Sequence, residues 1–161
     1  MPAPRTANAY QIALRLLARR ELSSSQLRER LVRRELPAVE IETAITKLTH
    51  SGAIDDGRVA HAHARRAAEV KFRGKRRTRR EIEALGIDAA TARRAVADVF
   101  AETDEEAVLE RAINKRLDGP VRDRAQFRRL YHSLLRQGFP ADRIVAQLLS
   151  RAEGNGTFVE E

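Results

Sequence analysis

The chain has 161 residues with 42% hydrophobic and only 4% aromatic content, a composition that suits Ala- and Leu-rich helices better than a sheet. It has no cysteine, which excludes disulfides, thiol catalysis and cysteine zinc sites, and no segment approaches the ~20 apolar residues of a membrane span. A formal net charge of +8 with pI near 10.8 points to a polyanion or an acidic protein surface as partner. The opening residues MPAPRTANAY lack the apolar run of a signal peptide, so a cytoplasmic protein is expected.

In chain order, the first helix is expected from about Ala7 to Arg20, with Ile12, Ala13, Leu16 and Leu17 inward. The second has an explicit start: Ser23 as N-cap, Gln26 completing a capping box, and Leu22 against Leu27 as a hydrophobic staple. It ends near Glu35. Pro37 suits the first turn of a third helix, and Gly52 follows that helix as a stop. A fourth helix runs from about Asp56 to Val70 with a small-residue face, Val59, Ala60, Ala64, Ala67 and Ala68. The fifth contains Thr78, Ile82 and Leu85 and ends at Gly86. Asp88 caps the sixth, which reaches about Phe100. The acids Glu102, Asp104, Glu105 and Glu106 suit the positive end of a seventh helix. Gly119-Pro120 breaks the chain before an eighth helix that packs Phe127, Leu130, Tyr131 and Leu134. Gly138-Phe139-Pro140 leads into the ninth, and Glu153 to Thr157 has the composition of a frayed end.

One pattern recurs about every fifty residues. Ile41, Ala44, Ile45 and Leu48 return as Ala92, Ala95, Val96 and Val99, and again, degraded, as Ile144, Gln147, Leu148 and Arg151. The spacing i, i+3, i+4, i+7 places each set on one helix face. The pairs Leu27/Leu31, Thr78/Ile82 and Leu130/Leu134 precede them. At Thr78 the repeat register overrides an apparent capping box with Glu81 and puts the residue inside the helix. The fold class is therefore all-α: three tandem three-helix repeats forming an elongated, curved array, at residues 1–55, 56–101 and 102–152, with a flexible tail at 153–161. Each unit lies near the lower size limit for an independent core, so neighbours should stack.

The segment Lys71 to Arg80 holds seven basic residues in ten and no acid. Burying that many guanidinium groups unpaired is prohibitive, so they are solvated, bound to phosphate or matched to carboxylates on a partner. The candidate partner- or DNA-binding set is Arg58, Arg65, Arg66, Lys71, Arg73, Lys75, Arg76, Arg77, Arg79 and Arg80, which Arg93 and Arg94 could enlarge. If five or six of these touch single-stranded phosphates, log affinity falls with log salt at a slope of roughly −4. Phe72 in the same run either stacks on a base or anchors its loop to the core. The mixed set Arg15 to Arg34, interleaved with Glu21, Glu29 and Glu35, reads as helix-surface pairing.

Catalysis finds little support. Asp55 and Asp56 precede a helix, as caps do. His61 and His63, two apart on a helix, point to different faces and share a metal poorly. No phosphate-cradling glycine loop, nucleophile elbow or H-E-x-x-H pattern occurs. Neither an enzyme, a cofactor nor a metal is expected. Nothing resembles a heptad seam, so a monomer is expected.

The phrase Leu48 to Ala60, then Gly74 followed by Ile82-Glu83-Ala84-Leu85-Gly86-Ile87, then Leu130-Tyr131 through Gly138-Phe139-Pro140, resembles the RecX family of bacterial RecA regulators. The likeness covers about residues 9 to 150 in order and spacing. It departs at Val59, where the family usually has Phe, and at Thr78, where an aliphatic residue is usual. The resemblance implies a non-enzymatic protein of three three-helix units. Such a protein binds the RecA nucleoprotein filament on single-stranded DNA and suppresses filament growth, strand exchange and ATP hydrolysis. Two rivals stand beside it. A stand-alone basic protein could compete for single-stranded DNA or read duplex bases as a helix-turn-helix, although the third helices carry alanine and acids such as Glu40, Glu42 and Asp98. A plain adaptor could contact acidic proteins without DNA.

Overall fold

The computed structural model describes residues 8–152, and nine α-helices occupy them. They are α1 (Ala9–Leu17), α2 (Ser24–Val32), α3 (Ala38–His50), α4 (Asp56–Glu69), α5 (Lys75–Ala84), α6 (Ala89–Ala101), α7 (Glu105–Asn114), α8 (Arg124–Arg136) and α9 (Ala141–Leu149). The extensive helix–helix packing lies within the triads α1–α3, α4–α6 and α7–α9. Each triad has its own buried cluster: Ala13 to Ile54, Ala60 to Phe100, and Val108 to Leu148. This is the all-α, three-repeat architecture expected from the fifty-residue period. Val121 and Ala152 add an isolated parallel bridge, closed by the Val121 amide on the Arg151 carbonyl at 2.8 Å, which no helical pattern announces.

Local chemistry fixes the helix starts. Ser23 and Gln26 form the full capping box, and Leu22 and Leu27 are buried in one cluster. Asp55, Asp88, Asp104 and Asp123 each cap a helix by accepting an amide from the first turn. Several boundaries differ from expectation, and α1 and α2 each end three residues early, at Leu17 and Val32. Helix α1 begins at Ala9 because Asn8 accepts the Gln11 amide, and Ala7 lies outside the described residues, as does the tail from Glu153. Pro37 is the extended residue before α3, not its first turn. Arg151 lies beyond α9 in a turn, where it bonds Asn114 at 2.6 Å and Glu110 at 3.6 Å; the third stripe is Ile144 and Leu148 with half-buried Gln147, which donates to Glu106.

Thr78 sits inside α5, fully buried, and its hydroxyl donates to the Gly74 carbonyl at 3.0 Å. That bond satisfies the polar atom an aliphatic residue would lack. Val59 is half-buried against the cluster of the second triad.

The triads are joined end to end by two chemically different seams. At the first, Asp56 accepts both the amide and the hydroxyl of Ser24, each at 2.8 Å, and Arg58 pairs with Glu21. The buried Ser23 hydroxyl donates to the Leu85 carbonyl at 2.5 Å while the same oxygen caps α2. At the second, the Gly74 amide donates to the Gln137 carbonyl at 2.9 Å, and a Cβ on Gly74 would lie 2.4 Å from the Gly138 oxygen. Phe72 packs against the cluster of the third triad, and Lys75 reaches Glu105 at 2.5 Å.

The conformation of Gly74 suits any residue (φ −79°), so its requirement is steric alone. Gly52 is the converse: φ is +77° with open space around its missing Cβ. Gly52→Ala should therefore lower stability by about 1 kcal/mol through backbone strain. Gly74→Ala should lower it by about 2–3 kcal/mol, because backbone must move. Thermal unfolding of the two variants beside the parent checks the order.

Candidate functional site

The basic run does not form one solvated surface. It divides according to where Glu81 sits. On α5, Glu81 takes Arg73 Nη1 at 2.5 Å, Arg77 Nε at 2.8 Å and His63 Nε2 at 3.1 Å. Its side chain is only 22% exposed. Burial pushes the carboxyl up, but the hydrogen bonds from Arg77, His63 and Arg73 and the charge of Arg73 outweigh it and hold the pKa at about 2. Arg73 thus ties the 71–74 loop to α5, and His63 ties α5 to α4.

Other members of the candidate set also have partners within the protein. Arg58 crosses the first seam to Glu21 and reaches the Gly52 carbonyl at 3.2 Å. Lys75 crosses the second seam to Glu105 and lies 5.9 Å from the Phe100 ring centroid. Arg79 pairs with Glu83 at 3.5 Å, the exposed i,i+4 arrangement that contributes only a few tenths of a kcal/mol. Arg65, Arg66, Lys71, Arg76 and Arg80 are exposed, and among the described residues their side chains make no ion pair or hydrogen bond. Arg76 and Arg80 stand one turn apart on the same face of α5. Glu69 is the one acid between Gly57 and Arg80.

Phe72 is an anchor. It adopts φ +49°, uncommon for a residue with a side chain, and its ring enters the third triad's periphery. There Lys115 Nζ lies 4.6 Å and Arg111 Cζ 5.7 Å from its centroid. These cations of α7 and its C-terminus escaped the sequence reading, which followed the density of basic residues along the chain. Arg116 belongs with them: Nε donates to Ser133 Oγ at 3.1 Å and Nη1 to the Ala112 carbonyl at 2.8 Å. With its oxygen toward α7, the Gln137 carboxamide accepts from Arg77 Nη1 at 3.1 Å and Arg116 Nη2 at 2.9 Å. Burial and the neighbouring Arg77 charge lower the Arg116 pKa.

The residues considered for chemistry have structural partners. Asp55 caps α4 and Asp56 holds Ser24. His61 bonds the Gly57 carbonyl and, at 2.9 Å, Asp98; both raise its pKa. Among the described residues no three His, Asp or Glu side chains converge as a metal site would require, and no helix is long and apolar enough to cross a membrane.

Known proteins share this arrangement. The family model for the first three-helix domain of RecX matches residues 9–48. A regulatory protein RecX from Syntrophotalea carbinolica is 31% identical over 140 residues, spanning 85% of this chain and 91% of that protein. The chain belongs to the RecX family. The regulatory protein RecX of Thermotoga maritima is 32% identical over 88% of this chain and 83% of its own length. Against the longer RecX of Geobacillus kaustophilus, 30% identical, the chain spans 58% of the relative's length. The crystal structure of RecX from Lactobacillus salivarius has the same fold, with TM-score 0.69 at 22% identity over 87% of this chain and 94% of that one. A second crystal structure, of a regulatory protein RecX, gives TM-score 0.71 at 18% identity, covering 87% and 69%. These RecX relatives are named as regulatory proteins, not as enzymes.

Because the Glu81 pKa is depressed, the stability it confers is fully present above about pH 4.5 and is lost as pH falls towards 2. Stability of the parent should drop by roughly 2–3 kcal/mol over that window on this group's account. Glu81→Gln should lower stability at pH 7 and flatten that part of the profile, measured by urea unfolding at a series of pH values.

Proposed function

We propose that this protein is a negative regulator of the RecA recombinase that binds the RecA–single-stranded DNA filament and inhibits its extension, strand exchange and ATPase. Membership of a family named for regulation supports the reading. The single observation that carries it on this chain is the set of exposed cations Arg65, Arg66, Lys71, Arg76 and Arg80 on one triad, which no ion pair or hydrogen bond of the described residues engages. A nucleoprotein filament presents phosphate and acidic protein surface side by side, and a linear array can touch both. The hydrolysed ATP is RecA's; this chain supplies contacts, acts as a monomer and needs no cofactor. A cytoplasmic location follows from the partner.

The helix-turn-helix alternative draws less support from the geometry. Helix α3 exposes Val39, Glu40 and Glu42 and carries no Arg, Asn or Gln, while α6 exposes Arg93 and Arg94 but otherwise Ala90, Ala97 and Asp98. A base-reading helix instead offers Arg, Asn and Gln to the groove.

Two measurements test the proposal. RecA ATPase on single-stranded DNA, with this protein titrated from far below RecA to equimolar, should fall at well under one molecule per RecA protomer. Inhibition only as the protein saturates the DNA would instead establish a competing DNA binder, and no inhibition would overturn regulation. Arg76→Glu with Arg80→Glu should weaken inhibition by about tenfold or more while leaving the helical circular dichroism unchanged, since neither side chain has a partner in the fold. Unchanged inhibition would remove the α5 face from the interface.

A further inference from the structure

The second seam concentrates more positive charge than the fold neutralises. Arg77 shares Glu81 with Arg73 and His63 and turns Nη1 to the Gln137 oxygen. Arg116 makes its hydrogen bonds to Ser133 Oγ, the Ala112 carbonyl and the same Gln137 oxygen, all of them neutral. Two guanidiniums are thus held against each other with an uncharged amide oxygen between them. Burial first, and the Arg77 charge beside it, lower the Arg116 pKa. Lys115 and Arg111 stand alongside over the Phe72 ring. An amide oxygen is a poor substitute for an anion here: bonds from a guanidinium to an oxyanion are roughly twice as strong, and the planar fork matches phosphate geometry.

We propose that Arg77 and Arg116, with Gln137 between them and Lys115 and Arg111 flanking, form a phosphate seat that takes a phosphodiester of single-stranded DNA. The assignment rests on the DNA-bearing partner proposed above and deepens it by naming the contact. A bound phosphate displaces the Gln137 oxygen and accepts from the two groups that oxygen now holds, Arg77 Nη1 and Arg116 Nη2. The strand, rather than a free phosphate, is favoured by what adjoins the seat. Arg76 and Arg80 on the same helix and Lys71 in the preceding loop are exposed and unpaired, so successive phosphates find further cations. The seat is formed by both triads together: α5 brings Arg77, the C-terminal end of α7 brings Arg116, and the end of α8 brings Gln137.

Gln137→Glu supplies the missing charge from within and tests this. It should raise the thermal midpoint, because both guanidiniums gain a carboxylate. At the same time it should weaken binding of a fluorescent oligothymidine by about tenfold at low salt. The log affinity against log salt slope should become shallower by about 0.7, the value for one phosphate contact on a single strand. Binding is read by anisotropy with this protein alone, without RecA, beside Arg116→Gln, which should show the same loss of affinity. A variant that is more stable yet binds less cannot have lost binding through misfolding. Melting in inorganic phosphate against chloride at equal ionic strength separates the sources. If Gln137→Glu abolishes a phosphate-specific shift while oligothymidine binding is unchanged, the seat takes free phosphate and the strand assignment is overturned. Unchanged affinity, slope and phosphate response in Gln137→Glu would overturn the seat itself, as would a parent protein that does not bind the strand. RecA inhibition is scored separately. A parent that binds the strand through this seat without inhibiting RecA refutes the regulatory reading and leaves the seat standing.

Discussion

Where α5 begins, the Gly74 amide meets the Gln137 carbonyl with no side chain between two stretches of backbone, and Gly138, at φ +94°, leaves the reciprocal space for Arg77. That approach sets the distance between the second and third triads to within the reach of a backbone hydrogen bond. The other features of the seam depend on it. Phe72 enters the third triad's periphery because Gly74, two residues on, is already held there, and its left-handed backbone is tolerated because the ring is packed and flanked by two cations. Arg77, one turn into α5, is thereby brought to Arg116.

The first seam solves the same problem with different chemistry. A triad of fewer than fifty residues buries too little apolar surface to be secure alone, so neighbour contacts contribute a large share of its stability. Helix packing is saturated inside the triads, which leaves the helix ends for joining them. Ser23 serves twice, capping α2 and donating to the second triad, and Ser24 beside it donates to Asp56, which accepts from the first position of α4. Capping groups suit this use because a helix start already projects polar side chains away from its own core. Gly86, at φ +79° with Ser25 against it, ends α5 and leaves room for the neighbour in one residue.

The sequence made the helices, the triads and most caps legible, because periodicity and capping are local and recur within a few residues. It read Thr78 correctly through register, since a repeat carries information that a single four-residue motif lacks. Boundaries slipped where a residue can serve either side of a helix start: Pro37 fits both the last extended position and the first turn, and Asn8 outcompetes the residues before it. The division of the basic run was not legible. Arg73, Arg76, Arg77 and Arg80 are alike in composition, and only the fold shows that Glu81 claims the first and third while the others face solvent. Arg116 and Gln137 were invisible for a related reason: neither stands in a charged run, and they meet Arg77 from elements some forty and sixty residues away.

The cations facing the protein interior are paired because burial demands it. A guanidinium losing its water without a carboxylate carries a penalty of several kcal/mol, and Glu81 is placed where two arginines and a histidine turn inward. Outward-facing cations incur no such penalty, since solvent screens them and an added surface pair contributes little. Folding therefore constrains the first group and leaves the second unconstrained, so Arg65, Arg66, Lys71, Arg76 and Arg80 cannot be explained by stability. Arg116 falls between the two cases. It is drawn far enough into the seam for its pKa to drop, yet it is satisfied only by neutral acceptors and stands against another guanidinium. A carboxylate at position 137 would relieve that repulsion by a single change of side chain from amide to acid. Its absence where two guanidiniums share one amide oxygen is the physical argument that the charge at this seam is directed outward, to an anion the protein does not itself carry.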